Sequence, residues 1–370
     1  LGVIALFAAF LGAFLVASGA LPAQYNLKPG EIVPDVYAPD NYEITVLIDE
    51  LAAPRGIAAH SEENVIFVSE RGAGRILALQ DSDNDRIADE PVVVIDELRA
   101  PSGLAYYEGW LYVADTDEVL RLQLDEDFRA ANREVIIKGL PIGANQSEVE
   151  SNQHALTIHD GELYVSIDAS CAACRETDSR RATVMVYDLD GSNERVFARG
   201  LYRVLGLATN PVTNALWASN QGRPQTEDPA PETLYQIENG DDAGWTRCIA
   251  GTIIDPDMGS EGGCDNVLQP LTTFEAQSNI ASILFLDNPN VPEAYRGDLL
   301  VALHGGVIEK GRNGEQYGFI VLHLDIAPET GQITSEPEPF VDGFWLSPEP
   351  GDFLGRPFGL AMTPDGILYI

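Results

Sequence analysis

One local pattern recurs along the chain: a short apolar run, a turn, and then an apolar–aromatic strand. In one copy the apolar residues 156–158 turn at Asp160-Gly161 and continue as Leu163-Tyr164-Val165. A strand, a turn and a second strand of this kind indicate an antiparallel hairpin. The six copies begin at or near Arg55, Ser102, Leu156, Gly206, Ser282 and Phe358.

The spacing of the copies predicts an all-β fold, a six-bladed β-propeller. Residues 43–370 divide into six units of about 55 residues (328 divided by six), a period typical of propeller blades or solenoids. Each copy except the last is followed by a further candidate strand, which favours blades over a single-sheet solenoid. The sixth copy ends inside its second strand, which predicts a truncated C-terminal blade. We expect the strand at residues 43–48 to join that blade and close the ring.

Two units are longer than the others because of insertions at residues 219–280 and 302–356. Insertions in a propeller usually form loops above the central channel, where binding residues are concentrated. We therefore expect these two segments to build the functional face.

Residues 1–23 are almost wholly apolar, and the first charged residue is Lys28. The length fits a transmembrane helix, which needs about 20 apolar residues, and the rival interpretation is a secretory signal segment. Residues 24–42 would be a linker and residues 43–370 the propeller. Both interpretations place the propeller on the periplasmic or extracellular side, and the first tethers it to the membrane through the N-terminal helix.

The chain carries 58 acidic and 22 basic residues, a formal net charge of −36. Binding to a phosphate backbone requires basic patches, so nucleic acid is excluded as a partner. An acidic surface instead suits calcium or basic proteins.

Four cysteines, Cys171, Cys174, Cys248 and Cys264, suit an exported protein with two disulfides. Among the three possible connectivities we predict the local one, Cys171–Cys174 and Cys248–Cys264. A zinc site at Cys-Ala-Ala-Cys would need further ligands, and no His flanks the motif. A thioredoxin-like redox pair would need a βαβ setting, whereas this segment is predicted to contain strands only.

An acidic loop at residues 81–89 places carboxylates at its first, third, fifth and ninth positions. These are Asp81, Asp83, Asp85 and Asp89. Calcium prefers six to eight oxygen ligands, and alternating carboxylates supply several of them. The loop departs from an EF-hand because Arg86 replaces the usual Gly. The two interpretations are a calcium loop between two strands and a solvated turn.

The order of several motifs over residues 45–370 resembles the glucose/sorbosone dehydrogenase family. The segment 163–191, LYVSIDASCAACRETDSRRATVMVYDLDG, is similar to that family's strand, Cys-x-x-Cys loop and turn. Further similar motifs are Gly244-Trp245-x-x-Cys248, Arg296-Gly297-Asp298-Leu299 and Gly355-Arg356-Pro357. The resemblance implies an exported six-bladed propeller that binds pyrroloquinoline quinone (PQQ) and calcium and oxidises sugars.

In that family a His takes the hydroxyl proton of the sugar, a role that suits imidazole. The family's His position corresponds to Ser151 here, and His154 lies nearby as the candidate base. Three further family segments also differ, at residues 200–207, 230–235 and 304–309. The cations available for an anionic quinone are Arg203, Arg223, Lys310, Arg312 and Arg356.

The sequence therefore leaves two functions open. The first is a quinone-dependent dehydrogenase that oxidises a sugar or another alcohol and passes electrons to a cytochrome or a membrane quinone. The second is a non-catalytic propeller that serves as an accessory or scaffold subunit of a membrane complex. Hydrolases are disfavoured, because neither a G-x-S-x-G nor an H-E-x-x-H motif occurs.

Overall fold

The computed structural model describes the backbone of residues 2–9, together with residues 27–40, 42–142, 153–224, 230–306, 317–347 and 353–370. The strands, in chain order, are β1 (Gly2–Ala9), β2 (Tyr42–Leu51), β3 (Pro54–Ala59), β4 (Val65–Glu70), β5 (Arg75–Gln80), β6 (Val92–Ile95), β7 (Pro101–Tyr107), β8 (Trp110–Asp115), β9 (Glu118–Leu124), β10 (Ala130–Lys138), β11 (Leu156–His159), β12 (Glu162–Ile167), β13 (Thr183–Asp188), β14 (Arg195–Arg199), β15 (Leu207–Thr209), β16 (Leu216–Asn220), β17 (Glu232–Ile237), β18 (Cys248–Ile249), β19 (Ile253–Ile254), β20 (Thr272–Phe274), β21 (Ile280–Phe285), β22 (Leu299–Leu303), β23 (Ile320–Leu324), β24 (Glu338–Val341), β25 (Ala361–Met362) and β26 (Leu368–Tyr369). One short 3₁₀ helix spans Glu293–Tyr295.

The described strands form six four-stranded sheets and one two-stranded hairpin, β18–β19. Blades 1, 2, 3 and 5 each use four consecutive strands, starting at β3, β7, β11 and β21. Blade 4 consists of β15, β16, β17 and β20, and blade 6 of β25, β26, β1 and β2. The prediction of a six-bladed β-propeller is confirmed, and β2 joins the last blade as expected.

Apolar side chains fill the spaces between neighbouring blades. The central strands are covered on both faces, so their sequences are continuous runs of apolar residues and do not alternate between apolar and polar residues. β4 and β22, for example, are buried at every position. Six buried clusters among the described residues correspond to the six blade interfaces, and one of them joins Tyr369 of blade 6 to Ile66 of blade 1. The ring is therefore closed by the same packing that holds its other blades.

Four of the six copies begin with a Gly-apolar-Ala motif, at Gly56, Gly103, Gly206 and Gly359, because the backbones of the inner strands approach one another closely around the channel. A Cβ added at Gly103 would lie 2.2 Å from the carbonyl oxygen of His154, and one at Gly56 would lie 2.0 Å from that of Ser102. Only glycine fits such contacts between backbones. The repeated motif thus has a structural cause. We call the end of the ring at which the inner strands begin the upper face, and the opposite end the lower face.

The N-terminal segment differs from its prediction where the structure describes it. Apolarity over residues 1–23 predicts a helix, but Gly2–Ala9 form strand β1, which pairs in parallel with both β2 and β26. The edge strand of a sheet has backbone N–H and C=O groups without partners. An extended segment that pairs with this edge satisfies its backbone hydrogen bonds as fully as it would in a helix. Residues 10–26 lie outside the described part of the chain. No helix among the described residues is long and apolar enough to cross a membrane.

The described part of the predicted linker, residues 27–40, lies against the propeller. Ile32 forms a backbone bridge to Thr45 of β2, and Tyr37 forms one to Asp342 beside blade 5. Val33 and Val36 are buried in the cluster between blades 5 and 6.

Candidate functional site

A central cavity of about 540 Å³ runs between the inner strands of all six blades. Arg55, Gln153 and His154 line it towards the upper face, while Tyr107, Asp287 and Met362 line it towards the lower face. The volume lies within the range of sites that hold small molecules and cofactors. In blades 1, 2 and 3 the loops that join the second and third strands also lie at the upper face.

His154 lies at the upper end of blade 3, and backbone groups engage it on every side. Its Nδ1 is 2.6 Å from the carbonyl oxygen of Ser166, and its Nε2 is 3.0 Å from that of Thr116. Its own N–H donates to the hydroxyl of Ser102, and its carbonyl oxygen accepts from Gly103. A general base must direct a lone pair at its substrate. In this geometry both ring nitrogens point at carbonyl acceptors, so His154 ties blade 2 to blade 3.

A serine near the end of the second strand recurs in three blades and supports the inner strand beside it. Ser69, Ser166 and Ser219 accept hydrogen bonds from the N–H groups of Gly56, Ala155 and Gly206, at 2.7, 2.7 and 2.9 Å. These bonds satisfy donors that the ladder leaves free where each inner strand begins. The positions of the upper-face side chains are therefore set by buried, hydrogen-bonded backbone.

Arg203 forms an ion pair with Asp168 where blades 3 and 4 meet. Its Nε is 2.9 Å from Asp168 Oδ2, and the negative charge of Asp168 raises the pKa of Arg203. Asp168 is almost fully buried, and its Oδ1 has no hydrogen-bond partner within the described chain. Arg203 therefore lies at the upper face, and a carboxylate already compensates its charge.

Arg223 is buried in a separate salt bridge. Its Nε lies 2.6 Å from Asp255 Oδ2, and one of its terminal nitrogens lies 2.7 Å from Asp257 Oδ2. Both carboxylates belong to the segment closed by the second disulfide. The charge of Arg223 thus anchors that segment and is not presented to the cavity.

Arg356 belongs to a cationic cluster with Arg55 and His304, where blades 5, 6 and 1 meet. Arg356 donates from Nε to the carbonyl oxygen of His304 at 3.1 Å and from a terminal nitrogen to that of Gly305. Its guanidinium lies over the ring of Phe319, while that of Arg55 lies over Phe358.

The three members of this cluster disfavour one another's charge. Burial, followed by the charge of Arg55, lowers the pKa of Arg356 to about 10. Burial lowers the pKa of Arg55. Burial, followed by the charges of Arg356 and Arg55, lowers the pKa of His304 to about 3. Within the described residues no carboxylate pairs with either arginine, although the protein as a whole is strongly acidic.

Enclosed polar atoms without a partner lie near the same end of the cavity. In the part of the chain that the structure describes, Arg55 Nε, His304 Nδ1 and Gln153 Oε1 make no hydrogen bond. Buried polar atoms in native proteins almost always have partners, and each exception needs an explanation. An anion bound beside Arg55 and His304 would satisfy the charge of the cluster and also its free donors.

The remaining predicted cations, Lys310 and Arg312, lie outside the described residues. Arg203 and Arg223 belong to the blade 3 and blade 4 side of the upper face, and Arg356 to the blade 5 and blade 6 side. The sequence argument missed Arg55 and His304, which join Arg356 only because the ring closes. The sequence offered only a weak signal, since Arg55 directly precedes Gly56 of β3 and Arg356 lies three residues before Gly359.

Both disulfides form with the predicted local pairing, Cys171–Cys174 and Cys248–Cys264. The pairing removes the zinc alternative at Cys-Ala-Ala-Cys, because disulfide sulfurs are not thiolate ligands. No helix begins at this motif. Such bonds indicate an oxidising environment for the protein.

The acidic loop lies between β5 and β6 at the lower face, away from the cavity's cationic end. Ligand oxygens of Asp81, Asp83 and Asp85 lie within 4.8 Å of one another. Asp81 accepts the N–H groups of Asp85 and Arg86, and Asp89 accepts that of Ser82 at 3.1 Å. The carboxylates of the first three positions thus converge as the spacing predicts, with Asp89 at the neck of the loop.

His323, which lies within an apolar strand, is a packed residue. Its Nε2 is 2.8 Å from Asp298 Oδ2, and its ring contacts Tyr295 and Phe340.

Fold and site together define a six-bladed β-propeller with a loop-lined polar site at one end of its channel. A family model described as "Domain of unknown function (DUF7133)" matches residues 58–302, and the chain belongs to that family. An uncharacterized protein of Borreliella burgdorferi is 20% identical over 368 residues, which cover 95% of this chain and 90% of that protein.

Solved structures with the same fold include three sugar-active propellers. The PQQ domain of a pyranose dehydrogenase from Coprinopsis cinerea, in its holo form, gives a TM-score of 0.69 at 16% identity, covering 90% of this chain and 92% of that one. A calcium structure of a Trichoderma reesei family AA12 carbohydrate-active enzyme gives 0.71 at 18%, covering 94% and 95%. The PQQ-bound aldose sugar dehydrogenase of Streptomyces coelicolor gives 0.60 at 16%, covering 90% of each chain. The predicted resemblance in fold to glucose/sorbosone dehydrogenases is confirmed.

Proposed function

We propose that the upper face binds a polycarboxylate quinone of the PQQ type and that the protein is an exported oxidoreductase for a sugar or a similar alcohol. The observation that carries this proposal is the cluster of Arg55, Arg356 and His304, which has no paired carboxylate within the described chain. Three similar folds belong to sugar-active proteins, two of them described with PQQ, which supports the same cofactor class.

The residues present fit the acidic groups of such a cofactor. Arg55 and Arg356 would hold carboxylates by charge-assisted hydrogen bonds, and the free Nδ1 of His304 would add a third contact. Their phenylalanine supports, Phe358 and Phe319, restrict the guanidinium groups, so little side-chain freedom remains to be lost on binding. When bound, a quinone of this class accepts two electrons from the alcohol carbon.

The residues available to remove the hydroxyl proton of the substrate fit their role less well than the residues available to bind the cofactor. His154 is the candidate base, but both of its ring nitrogens face carbonyl oxygens. In the proposed enzyme one of these two contacts must open before the ring accepts a proton. The ion pair of Asp168 and Arg203 lies beside His154 and would help to hold the ring in place.

The second candidate function is a non-catalytic propeller within a membrane complex, and the engagement of His154 favours it. On this proposal the cationic cluster would bind an anionic ligand or a partner's carboxylates without turnover. Under either function the two disulfides support export to the periplasmic or extracellular side. The proposal of a membrane complex also includes attachment of the protein to the membrane through its N-terminal segment, by residues other than the strand Gly2–Ala9.

The test is a calorimetric and absorbance titration of the purified protein with PQQ in the presence of calcium. We expect stoichiometric binding. We also expect Arg356→Gln and Arg55→Gln each to weaken it about 10- to 100-fold, the usual contribution of one charge-assisted hydrogen bond. The matched control is Arg129→Gln, an exposed arginine at the lower face, which should bind like the wild type.

Dye reduction with a panel of sugars and alcohols then separates the two functions. Binding followed by substrate-dependent reduction supports the dehydrogenase. Binding without reduction for any substrate supports the non-catalytic propeller. No binding by a folded protein, or equal binding by all the variants, would remove the cofactor site from consideration.

A further inference from the structure

We propose that the hairpin β18–β19, at the upper rim of blade 4, is the docking surface for a small basic redox protein that takes electrons from the upper-face site. The proposal rests on the proposed oxidoreductase function. Oxidation of one alcohol to a carbonyl releases two electrons and two protons. Two molecules of a one-electron acceptor would therefore be reduced for each substrate molecule.

The hairpin exposes apolar side chains that belong to none of the buried apolar clusters among the described residues. Ile253 and Ile254 are 51% and 46% exposed, and Pro256 beside them is also exposed. Ile253 and Ile254 are the two residues of β19, and their exposure costs solvation free energy, since each large aliphatic side chain gains about 1.5–3 kcal/mol when it is buried. The disulfide Cys248–Cys264 and the salt bridge of Arg223 hold this surface in place.

The charge around the hairpin specifies the partner. No Lys or Arg occurs between Arg247 and Arg296, whereas this stretch holds seven acidic residues. Asp257, Glu261 and Asp265 are exposed beside the isoleucines. An apolar centre with an acidic rim complements a protein that has a basic rim, and the opposite signs accelerate their encounter.

The hairpin is joined by direct contacts to the blade 3 and blade 4 side of the upper face. Arg223, which holds Asp255 and Asp257, follows β16, and at the end of that strand the Asn220 side chain accepts the N–H of Arg203. The ring of Trp245, three residues before Cys248, lies 6.0 Å from that of Tyr202, the residue before Arg203. A protein bound to the hairpin would thus lie beside Tyr202 and Arg203, on the blade 3 and blade 4 side of the same upper face.

The size of the surface suits a short-lived complex. Electron-transfer partners bury less than about 1,200 Å² in total and dissociate quickly. Two isoleucines and a proline provide a small apolar centre of the kind such an interface needs. A stable second copy of this chain is disfavoured, because both partners would present the same acidic rim.

The experiment measures the binding of oxidised mitochondrial cytochrome c, used as a basic probe protein, by analytical ultracentrifugation at low ionic strength. We expect micromolar binding that weakens as salt is added. The double variant Ile253→Ser/Ile254→Ser should weaken binding at least 10-fold, and so should Glu261→Gln/Asp265→Asn. The controls are Val212→Ser and Glu126→Gln/Asp127→Asn, which make the same chemical changes at the lower face and should bind like the wild type.

Direct binding keeps this proposal separate from the proposed function, because it requires no turnover. Should turnover be observed, ferricyanide reduction should remain unchanged in the hairpin variants while cytochrome c reduction falls. If hairpin and control variants bind equally well, docking at this surface is wrong. If the wild type self-associates and the isoleucine variant does not, a second copy covers the hairpin and the basic partner is wrong.

Discussion

At the scale of single residues, Glu232 begins β17 with its carboxyl group enclosed between blades 4 and 5. The backbone N–H groups of Gly222 and Asn279 donate to it, both at 3.2 Å. Burial nevertheless raises the pKa of Glu232 from 4.5 to about 7, with the hydrogen bonds opposing the shift. The carboxyl group therefore titrates near neutral pH although it makes only structural contacts.

This residue gives a pH-dependent prediction. Between pH 4.5 and 7 the folded protein holds the Glu232 proton more tightly than the unfolded chain does. Its contribution to stability is therefore complete below pH 4.5 and is lost as the pH rises to about 7. The unfolding free energy of the wild type relative to Glu232→Gln should fall by up to about 3 kcal/mol between pH 4.5 and 7.5 in urea titrations.

Glu238→Gln is the matched control, since Glu238 is exposed just beyond the other end of the same strand. Its difference from the wild type should not change over this range. An equally constant difference for Glu232→Gln would show that the buried carboxyl group is not the group that titrates.

The sequence was sufficient to propose which residue types lie at the site, but not which residues they pair with. It indicated the arginines by their chemistry, but Arg203 and Arg223 pair with Asp168 and Asp255, which lie 35 and 32 positions away. Such pairings depend on how loops from different strands meet. A count of charges along the chain does not contain that information.

At the scale of elements, hairpins were predictable and isolated segments were not. The turn between β11 and β12 has Asp160 and Gly161 at φ 49° and 74°, the left-handed conformations that a tight two-residue turn requires and that this pair of residue types favours. For Gly2–Ala9, local apolarity fits a helix and a strand equally well. Pairing with β2 and β26, which are distant in sequence, decides between them.

The loop between β5 and β6 is an element with its own prediction. Asn84 and Arg86 adopt φ 59° and 71°, which turns the carboxylates of Asp81, Asp83 and Asp85 towards one point. If calcium binds there, calcium added at 100 times its dissociation constant should stabilise the fold by about 2.7 kcal/mol, equivalent to a few degrees in Tm.

Differential scanning calorimetry with calcium and with a chelator checks this prediction. Asp83→Asn/Asp85→Asn should abolish the increase in Tm, and Asp125→Asn/Asp127→Asn, in another lower-face turn, should leave it intact. A calcium effect that survives the first double variant would place the ion elsewhere.

At the scale of the whole molecule, the acidic charge is the dominant long-range force. A net charge of −36 on one compact chain repels itself, and this repulsion is greater in the folded state than in the expanded unfolded chain. Salt screens such repulsion over about 10 Å at 0.1 M and about 3 Å at 1 M.

We therefore expect Tm to rise by several degrees between 10 mM and 0.5 M potassium chloride. Thermal unfolding followed by circular dichroism would measure the change, with equal osmolality of sucrose as the control for non-ionic effects. A Tm that falls with salt would mean that the ion pairs of the structure outweigh its net repulsion.

The glycines of the inner strands have a consequence for how the channel can change. The strands contact one another backbone to backbone at Gly56 and Gly103, so these backbone contacts, together with the apolar packing between blades, set the bore of the ring. Side chains that point into the bore, such as those of Arg55 and Gln153, can then be exchanged while its diameter stays the same. In such a ring the residues that contact a ligand can change without a change in the fold. Propellers of the same shape can therefore bind different ligands.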